Sequence, residues 1–132
     1  KALIVISADT IVDVDNALLE KPLDVADAQR MLRVISGREH LVHSGVVLHV
    51  RRPDASVWIR EFTVTTRVMM KHISQREMDW YIQTGNPFDK SGGYGAQSLG
   101  AFWVKGVNGS FSNVVGLPLA ELSDELLAIV SV

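Results

Sequence analysis

The chain has no cysteine among its 132 residues. This absence excludes a disulfide scaffold, a thiolate nucleophile and a cysteine-based zinc site. It is also typical of proteins that work in a reducing compartment, so we expect a cytoplasmic location.

Long apolar runs and an excess of basic charge are also lacking. The apolar run at the start, Ala2 to Ile6, is too short to cross a bilayer and lacks the features of a signal peptide. Thirteen basic residues stand against 15 acidic ones, for a formal charge of -2. We therefore expect neither a membrane nor a nucleic-acid partner. A phosphate-binding loop of the Walker type is excluded because Gly-Lys-Ser/Thr does not occur.

The length and composition predict one soluble domain, residues 1–132. The hydrophobic fraction of 47% and the charged fraction of 21% are ordinary for a globular protein of this size. Lys1 leads directly into a strand-like run, without an initiator methionine. We therefore expect further sequence upstream of Lys1.

Hydrophobic periodicity and capping signals predict an α/β domain with long strands. The first strand is rich in β-branched residues, which is typical of a strand covered on both faces. Asp24 and the pair Ser74 and Glu77 are predicted helix caps. The predicted strands are Ala2 to Val14, His40 to Val50, Val57 to Met70 and Ala101 to Val107, and the predicted helices are Val25 to Ile35, one from Ser74 to Gly85 and one after Pro118.

Asp9 is the first candidate functional residue. It lies where the first strand becomes polar, and α/β proteins often bind ligands just beyond the ends of strands. A carboxylate there could hold a divalent ion or accept a proton from water. Asp9 could equally cap a turn beside Thr10, so both interpretations stay open on the residues alone.

Two further stretches could bind phosphate. Pro22 restricts Lys21 to an extended conformation, although an ordinary solvated lysine is the simpler interpretation. Five of the ten glycines fall between positions 85 and 100, where backbone amides could approach a ligand. Asp89, Lys90 and Gln97 add a carboxylate, a cation and an amide to this segment, which could also be a plain surface loop.

The histidines do not form a predicted metal site. In a strand, His43 and His49 share one face while His40 lies on the other, and His72 is isolated. We interpret all four as core or surface residues.

Taken in order, several segments resemble the Maf family of nucleotide pyrophosphatases, which belongs to the inosine triphosphatase-like group. Together they span nearly the whole chain, and their shared order makes the resemblance specific. They are Ser7-Ala8-Asp9-Thr10-Ile11-Val12, Leu19-Glu20-Lys21-Pro22, Met31-Leu32 with Ser36-Gly37-Arg38-Glu39-His40, Tyr81-Ile82-Gln83-Thr84-Gly85-Asn86-Pro87, the segment from Asp89-Lys90 to Gly100, and Ser112-Asn113-Val114-Val115-Gly116-Leu117-Pro118.

The resemblance implies a fold and a reaction. The expected fold is a long, twisted, mixed β-sheet flanked by helices, with a nucleotide cleft between two lobes. The expected reaction is attack of water on the α-phosphate of a nucleoside triphosphate, with release of pyrophosphate and help from Mg²⁺ or Mn²⁺. A homodimer is also expected.

The resemblance also assigns roles to seven residues. Asp9 aligns with the proton acceptor and is the expected metal ligand. Lys21 and Lys90 align with catalytic cations near the phosphates. The expected substrate-binding residues are Thr10, Arg38, Asp89 and Gln97, with Thr10 and Gln97 linked to the choice of base.

Residues around Thr10 favour a pyrimidine substrate. Ala-Asp-Thr at positions 8–10 and the later Tyr-Gly-x-Gln resemble the branch that acts on dTTP and UTP. The alternatives are a pyrophosphatase for 7-methyl-GTP or a modified purine nucleotide, and a regulator of cell division that binds nucleotide without hydrolysing it.

One departure from the family pattern matters for catalysis. The Ser-x-Ser-Pro-Arg-Arg loop, which supplies arginines to the triphosphate, does not occur in these 132 residues, so the expected fold lacks its N-terminal strand, loop and helix. Bidentate arginine contacts to phosphate are hard to replace. We therefore expect severely impaired activity wherever that loop is absent.

Overall fold

The computed structural model describes residues 2–95 and 99–130. Within them lies one five-stranded sheet of order β2-β1-β3-β4-β5. Every neighbouring pair in it is antiparallel. The strands are β1 (Leu3–Val14), β2 (Ala17–Leu19), β3 (Glu39–Arg51), β4 (Val57–Met70) and β5 (Val104–Asn108).

The helices connect these strands and pack mainly on one face of the sheet. Asp24 caps the first helix by accepting a hydrogen bond from the Asp27 amide at 2.8 Å. Ser74 and Glu77 form a reciprocal capping box at the second. The helices are α1 (Val25–Ile35), α2 (Gln75–Gln83), α3 (Phe111–Val115) and α4 (Leu119–Val130), with short 3-10 helices at Asn86–Asp89, Ser91–Gly93 and Leu99–Trp103. None of the described helices has the length and hydrophobicity to span a bilayer.

The strand register decides which side chains face the helices. Residues paired across antiparallel strands point to the same face, so Val12, Val42 and Thr66 share one face. That face, which we call the covered face, is buried along most of β3. Successive side chains of a strand point to opposite faces, and Asp9 and His43 lie at positions between those of the covered face. They therefore point to the opposite face.

The hydrophobic core has two parts. The larger lies between the sheet, α1 and α2, and it includes the fully buried Leu32, Tyr81 and Trp103. The smaller lies under α4, where Leu122 packs on Val46 and Leu48. The larger part supports the edge of the sheet where β1 meets β2.

The α/β class is confirmed, as are the hairpin, the capped helix α1 and the capping box.

Three details differ from expectation. The described sheet is antiparallel throughout rather than mixed, because β3 returns against β1 after α1. Leu3 and Val5 in β1 are about half exposed rather than buried, because they point to the same face as Asp9, opposite the covered face. The expected strand from Ala101 begins only at Val104, because residues 99–103 form a 3-10 helix.

Candidate active site

A cleft of about 290 Å³ opens where β1 meets the glycine-rich segment and α3. A second hollow of about 290 Å³ adjoins it and shares Asp9, Thr10, Lys21 and Ser91. The main cleft is lined by Ala8, Asp9, Thr10, Val12, Lys21, Val42, Asp89, Lys90, Ser91, Tyr94, Gly95, Val114, Val115 and Gly116. Segments that are distant in sequence, around positions 9, 21, 90 and 115, therefore meet at one place.

Asp9 presents an exposed carboxylate at the edge of this cleft. Its Oδ1 accepts a hydrogen bond from the Thr10 amide at 3.0 Å. It forms no salt bridge with any other residue of the described ranges. The carboxylate is thus oriented by the backbone and can still bind a ligand.

Two lysines and a second carboxylate line the same cleft. The Lys90 ammonium lies 2.8 Å from Asp89 Oδ1. The hydrogen bond and charge of Lys90, with a smaller effect from Lys21, hold the pKa of Asp89 below its usual value. Both lysines therefore lie close enough to Asp89 to act on its charge, so the cleft concentrates cations beside carboxylates.

Ser91 fastens the glycine-rich segment to the sheet. Its hydroxyl accepts a hydrogen bond from the Val12 amide at 3.1 Å and donates one to the Leu19 carbonyl. Gly92 adds a backbone bond from its amide to the Glu20 carbonyl at 3.2 Å. Gly92 has φ +75, and a Cβ there would lie 2.8 Å from Val12 Cγ2. A larger residue would therefore displace the Val12 side chain.

Thr10 joins β1 to the segment after α3. Its hydroxyl donates to the Gly116 carbonyl at 3.1 Å and shares a 2.7 Å hydrogen bond with Ser44. The Ser44 hydroxyl also lies 3.5 Å from the Asn113 carbonyl, so either hydroxyl can donate in the bond between Thr10 and Ser44. A hydroxyl has one proton and two lone pairs, so in both arrangements Thr10 keeps at least one lone pair for a ligand.

Comparison with known proteins identifies the family of this chain. A family model described as "Maf-like protein" matches residues 1–129. The chain belongs to the Maf family. A protein of Koribacter versatilis named dTTP/UTP pyrophosphatase is 50% identical over 118 residues, which cover 89% of this chain and 58% of the relative. One of the same name from Vibrio cholerae is 48% identical over 124 residues, covering 94% of this chain and 63% of the relative.

A human relative is much longer than this Maf chain. It is named a probable bifunctional dTTP/UTP pyrophosphatase/methyltransferase protein, and it is 45% identical over 127 residues, which cover 94% of this chain and 20% of the relative. The chain spans about three fifths of the length of the two bacterial relatives.

Arg38 and Gln97 are the other two residues expected at the Maf site. Arg38 lies in a separate pocket with Glu39 and Arg67, and its guanidinium binds Asp15 Oδ2 at 2.6 Å. Its expected role in substrate binding stays a prediction. Gln97 lies outside the described residues.

Sequence reasoning also missed residues that shape the cleft. In the sequence, Ser91 and Tyr94 stand out only as parts of a glycine-rich stretch, and the segment from Val114 to Gly116 only as part of a family motif. An isolated polar residue between glycines, such as Ser91, is the one local signal that could have pointed to an anchor.

The side chains present can contribute to a divalent metal site in this Maf chain. Within residues 2–95 and 99–130, no group of three or more histidine, aspartate or glutamate side chains converges on one point. Two exposed carboxylates, Asp9 and Asp89, nevertheless line the cleft. Mg²⁺ is commonly held by one or two carboxylates together with substrate phosphates and water, so this donor set fits it.

Proposed function

We propose that the complete protein is a nucleoside triphosphate pyrophosphatase that converts dTTP and UTP to the monophosphate and pyrophosphate. The observation that carries this proposal is the meeting of Asp9, Lys21 and Lys90 in one cleft. The bacterial relatives named dTTP/UTP pyrophosphatase support the same choice of substrate.

Each charged residue of the cleft suits one part of this reaction. Asp9, exposed and held by the Thr10 amide, would accept a proton from the attacking water and contribute an oxygen ligand to the metal. Lys21 and Lys90 would stabilise the negative charge that develops on the phosphates, because fixed cations need no reorganisation during the reaction. Asp89 would keep the Lys90 ammonium in place through their 2.8 Å contact.

A divalent cation, Mg²⁺ or Mn²⁺, belongs to the same proposal. When bound, it would supply a Lewis acid that polarises a phosphoryl oxygen. Asp9 is the residue proposed to hold it, and Asp89, which lines the same cleft, is proposed to assist through a bound water.

Thr10 and Gln97 are proposed to recognise the base. The lone pair left on the Thr10 hydroxyl can accept the N3–H that uracil and thymine present. The Gln97 amide could donate to a carbonyl of the same ring. A 7-methylguanine has a different edge, with other donors and acceptors, and would not match this pair equally well.

A substrate panel tests the proposal. Pyrophosphate release from dTTP, UTP, 7-methyl-GTP, ATP and GTP would be measured with Mg²⁺ or Mn²⁺, using inorganic pyrophosphatase and phosphate detection. We expect dTTP and UTP to give the highest kcat/KM, and chelation of the metal to stop turnover. Preference for 7-methyl-GTP would refute the choice of base, and absence of turnover on all five would refute the activity.

A homodimer and a cytoplasmic location are part of the same proposal. Exposed apolar side chains on the sheet, including Leu3, Val57 and Ile59, offer a surface that a second copy could cover. Sedimentation analysis of the complete protein would show a species of twice the monomer mass, and a monomer at micromolar concentration would contradict the dimer. Fractionation of the source cells would test the location.

A further inference from the structure

A buried histidine and a buried tyrosine are hydrogen-bonded directly behind the cleft. His40 in β3 is 2% exposed and Tyr94 is 5% exposed. His40 Nε2 lies 2.6 Å from the Tyr94 hydroxyl, and the two rings meet edge to face at 5.3 Å. Tyr94 lines the cleft, whereas His40 does not, so His40 reaches the site only through its partner.

Both members of this pair are neutral at neutral pH. Burial, with a smaller effect from the positive charge of Arg38, lowers the pKa of His40 to about 4. Burial also raises the pKa of Tyr94 above its usual value. The pair is therefore a hydrogen bond between a neutral imidazole and a neutral phenol. Neither group changes its protonation state in the pH range in which an enzyme ordinarily works.

Packing alone does not account for a histidine at this place. The other ring nitrogen, Nδ1, is buried and has no hydrogen-bond partner among the described residues. Burying a polar atom without a partner is unfavourable, and an apolar residue would avoid that cost. What the imidazole adds over an apolar residue is its hydrogen bond to Tyr94.

Tyr94 ends the short segment that begins with Lys90, and this segment needs outside support. Gly92 and Gly93 have φ values of +75 and +81, and glycine leaves the backbone free to adopt other conformations. Ser91 ties one end of the segment to β1 and β2. The other end is tied to β3 by Tyr94 and His40.

We propose that His40 is a positioning residue, whose hydrogen bond to Tyr94 holds the segment 90–94 against β3 so that Lys90 faces the cleft opposite Asp9. The inference rests on the proposed pyrophosphatase function for its consequence in catalysis. The anchoring itself does not depend on which reaction the cleft performs.

Four variants of the complete protein test this proposal: His40→Leu, Tyr94→Phe, the double variant and His40→Gln. A glutamine amide can reach the place of the imidazole Nε2 and restore the bond to Tyr94. His49→Leu is the matched control, since His49 lies on the same strand, is exposed and belongs to the opposite face. kcat/KM for dTTP would be measured together with the midpoint of thermal unfolding.

We expect His40→Leu and Tyr94→Phe each to lower kcat/KM roughly tenfold, which corresponds to about 1.4 kcal/mol. The double variant should lose no more than either single one, because both remove the same bond. His40→Gln should recover most of the activity, and His49→Leu should match the wild type. Equal activity of His40→Gln and His40→Leu, or additive losses in the double variant, would overturn the proposal.

Amide hydrogen exchange supplies a readout that does not need turnover. The amide of Gly92 binds the Glu20 carbonyl, and the amide of Gly93 binds the Lys90 carbonyl at 3.0 Å. We expect both to exchange faster in Tyr94→Phe, while α1 amides such as that of Ala28 exchange as in the wild type. Unchanged exchange at Gly92 and Gly93 would overturn the anchoring.

The two readouts separate this inference from the proposed function. If the wild type hydrolyses no nucleotide but Tyr94→Phe speeds exchange at Gly92 and Gly93, the function fails and the anchoring stands. If the wild type hydrolyses dTTP and Tyr94→Phe alters neither readout, the function stands and the anchoring fails. Tyr94→Phe removes one oxygen atom only, so it serves even if His40→Leu does not fold.

Discussion

The two ends of the long strands β1, β3 and β4 have opposite characters. At the end that carries the cleft, the polar side chains of Ser44, Thr66 and Asn113 are at most 1% exposed. At the other end, the apolar side chains of Val57 and Ile59 are more than half exposed. The same three strands thus bury polar groups at one end and expose apolar ones at the other.

The difference follows from what packs on each end and on each face, since Val57 and Ile59 point to the face opposite the covered face. The helices α1, α2 and α3 and the 3-10 turns surround the cleft end, and they supply partners for its polar atoms. Asn113 alone donates through its Nδ2 to the Val42 and Val64 carbonyls and to the Thr66 hydroxyl. The far end has α4 on its covered face, where Leu122 meets Val46 and Leu48. Polar groups can be buried without a large loss of stability only where hydrogen bonds within the protein replace those to water. This is the case at the cleft end.

The largest effect should come from neutralising the carboxylate at the cleft end. Asp9→Asn should lower kcat by about 10² to 10⁴, the usual contribution of a general base, if Asp9 has the proposed role. Its thermal unfolding should hardly change, because Asp9 is exposed and an asparagine oxygen can still accept the Thr10 amide. The matched control is Ser7→Ala, two residues earlier on the same face of β1. Wild-type turnover in Asp9→Asn would remove Asp9 from catalysis.

The next effect concerns the buried amide that joins α3 to the sheet. Asn113→Ala should lower the free energy of unfolding by about 4 kcal/mol, because two buried acceptors and one part-buried acceptor lose their donor and a cavity forms. Asn108→Ala, at an exposed position of β5, should cost less than about 0.5 kcal/mol. Urea denaturation of both variants measures the contrast, and similar losses would show that Asn113 is not the anchor of α3.

The buried histidine should make stability depend on pH. Because the folded-state pKa of His40 is about 4 and the ordinary pKa of histidine is 6.5, the unfolded chain binds the proton first as pH falls. Stability is therefore full above about pH 6.5 and declines towards pH 4, by at most roughly 3 kcal/mol. His40→Leu should lack this decline, whereas His49→Leu should retain it. Denaturation curves at several pH values test this, and an identical decline in His40→Leu would contradict it.

The smallest effect is expected at the far end. Ile59→Thr, at a side chain that is 58% exposed, should change the free energy of unfolding of the monomer by less than about 0.5 kcal/mol. The β-branched shape is kept, and little apolar area of the monomer leaves water on folding. A loss above about 2 kcal/mol, measured at a concentration where the protein is monomeric, would mean that another part of the same protein covers this face and that the two ends differ less than described.

Local signals predicted much of the fold. Asp24, Ser74 and Glu77 act within three residues of the helix starts that they cap, and alternation along β3 and β4 marks their hairpin without distant contacts. The exposure of Leu3 and Val5 could not be predicted in this way, because it depends on which face of the sheet the helices cover. The antiparallel return of β3 also depends on where α1 packs.

The candidate site was predicted in part. The resemblance to the Maf family singled out Asp9, Thr10, Lys21, Asp89 and Lys90, and all five line the cleft. Their roles stay predictions, as does that of Gln97. The anchors were missed because each joins positions far apart in sequence: Ser91 and Val12 are separated by 79 residues, and Tyr94 and His40 by 54. No local pattern reports such a contact.

The amino-acid sequence by itself determined the helices, the long hairpin and the family, since caps, periodicity and ordered motifs act over short stretches of chain. Only the tertiary structure decided which polar groups are buried with partners, which apolar ones stay exposed, and that the buried His40 is hydrogen-bonded to Tyr94 of the cleft. Those properties depend on the free energy of contacts between distant segments, which exist only once the sheet and helices have packed together.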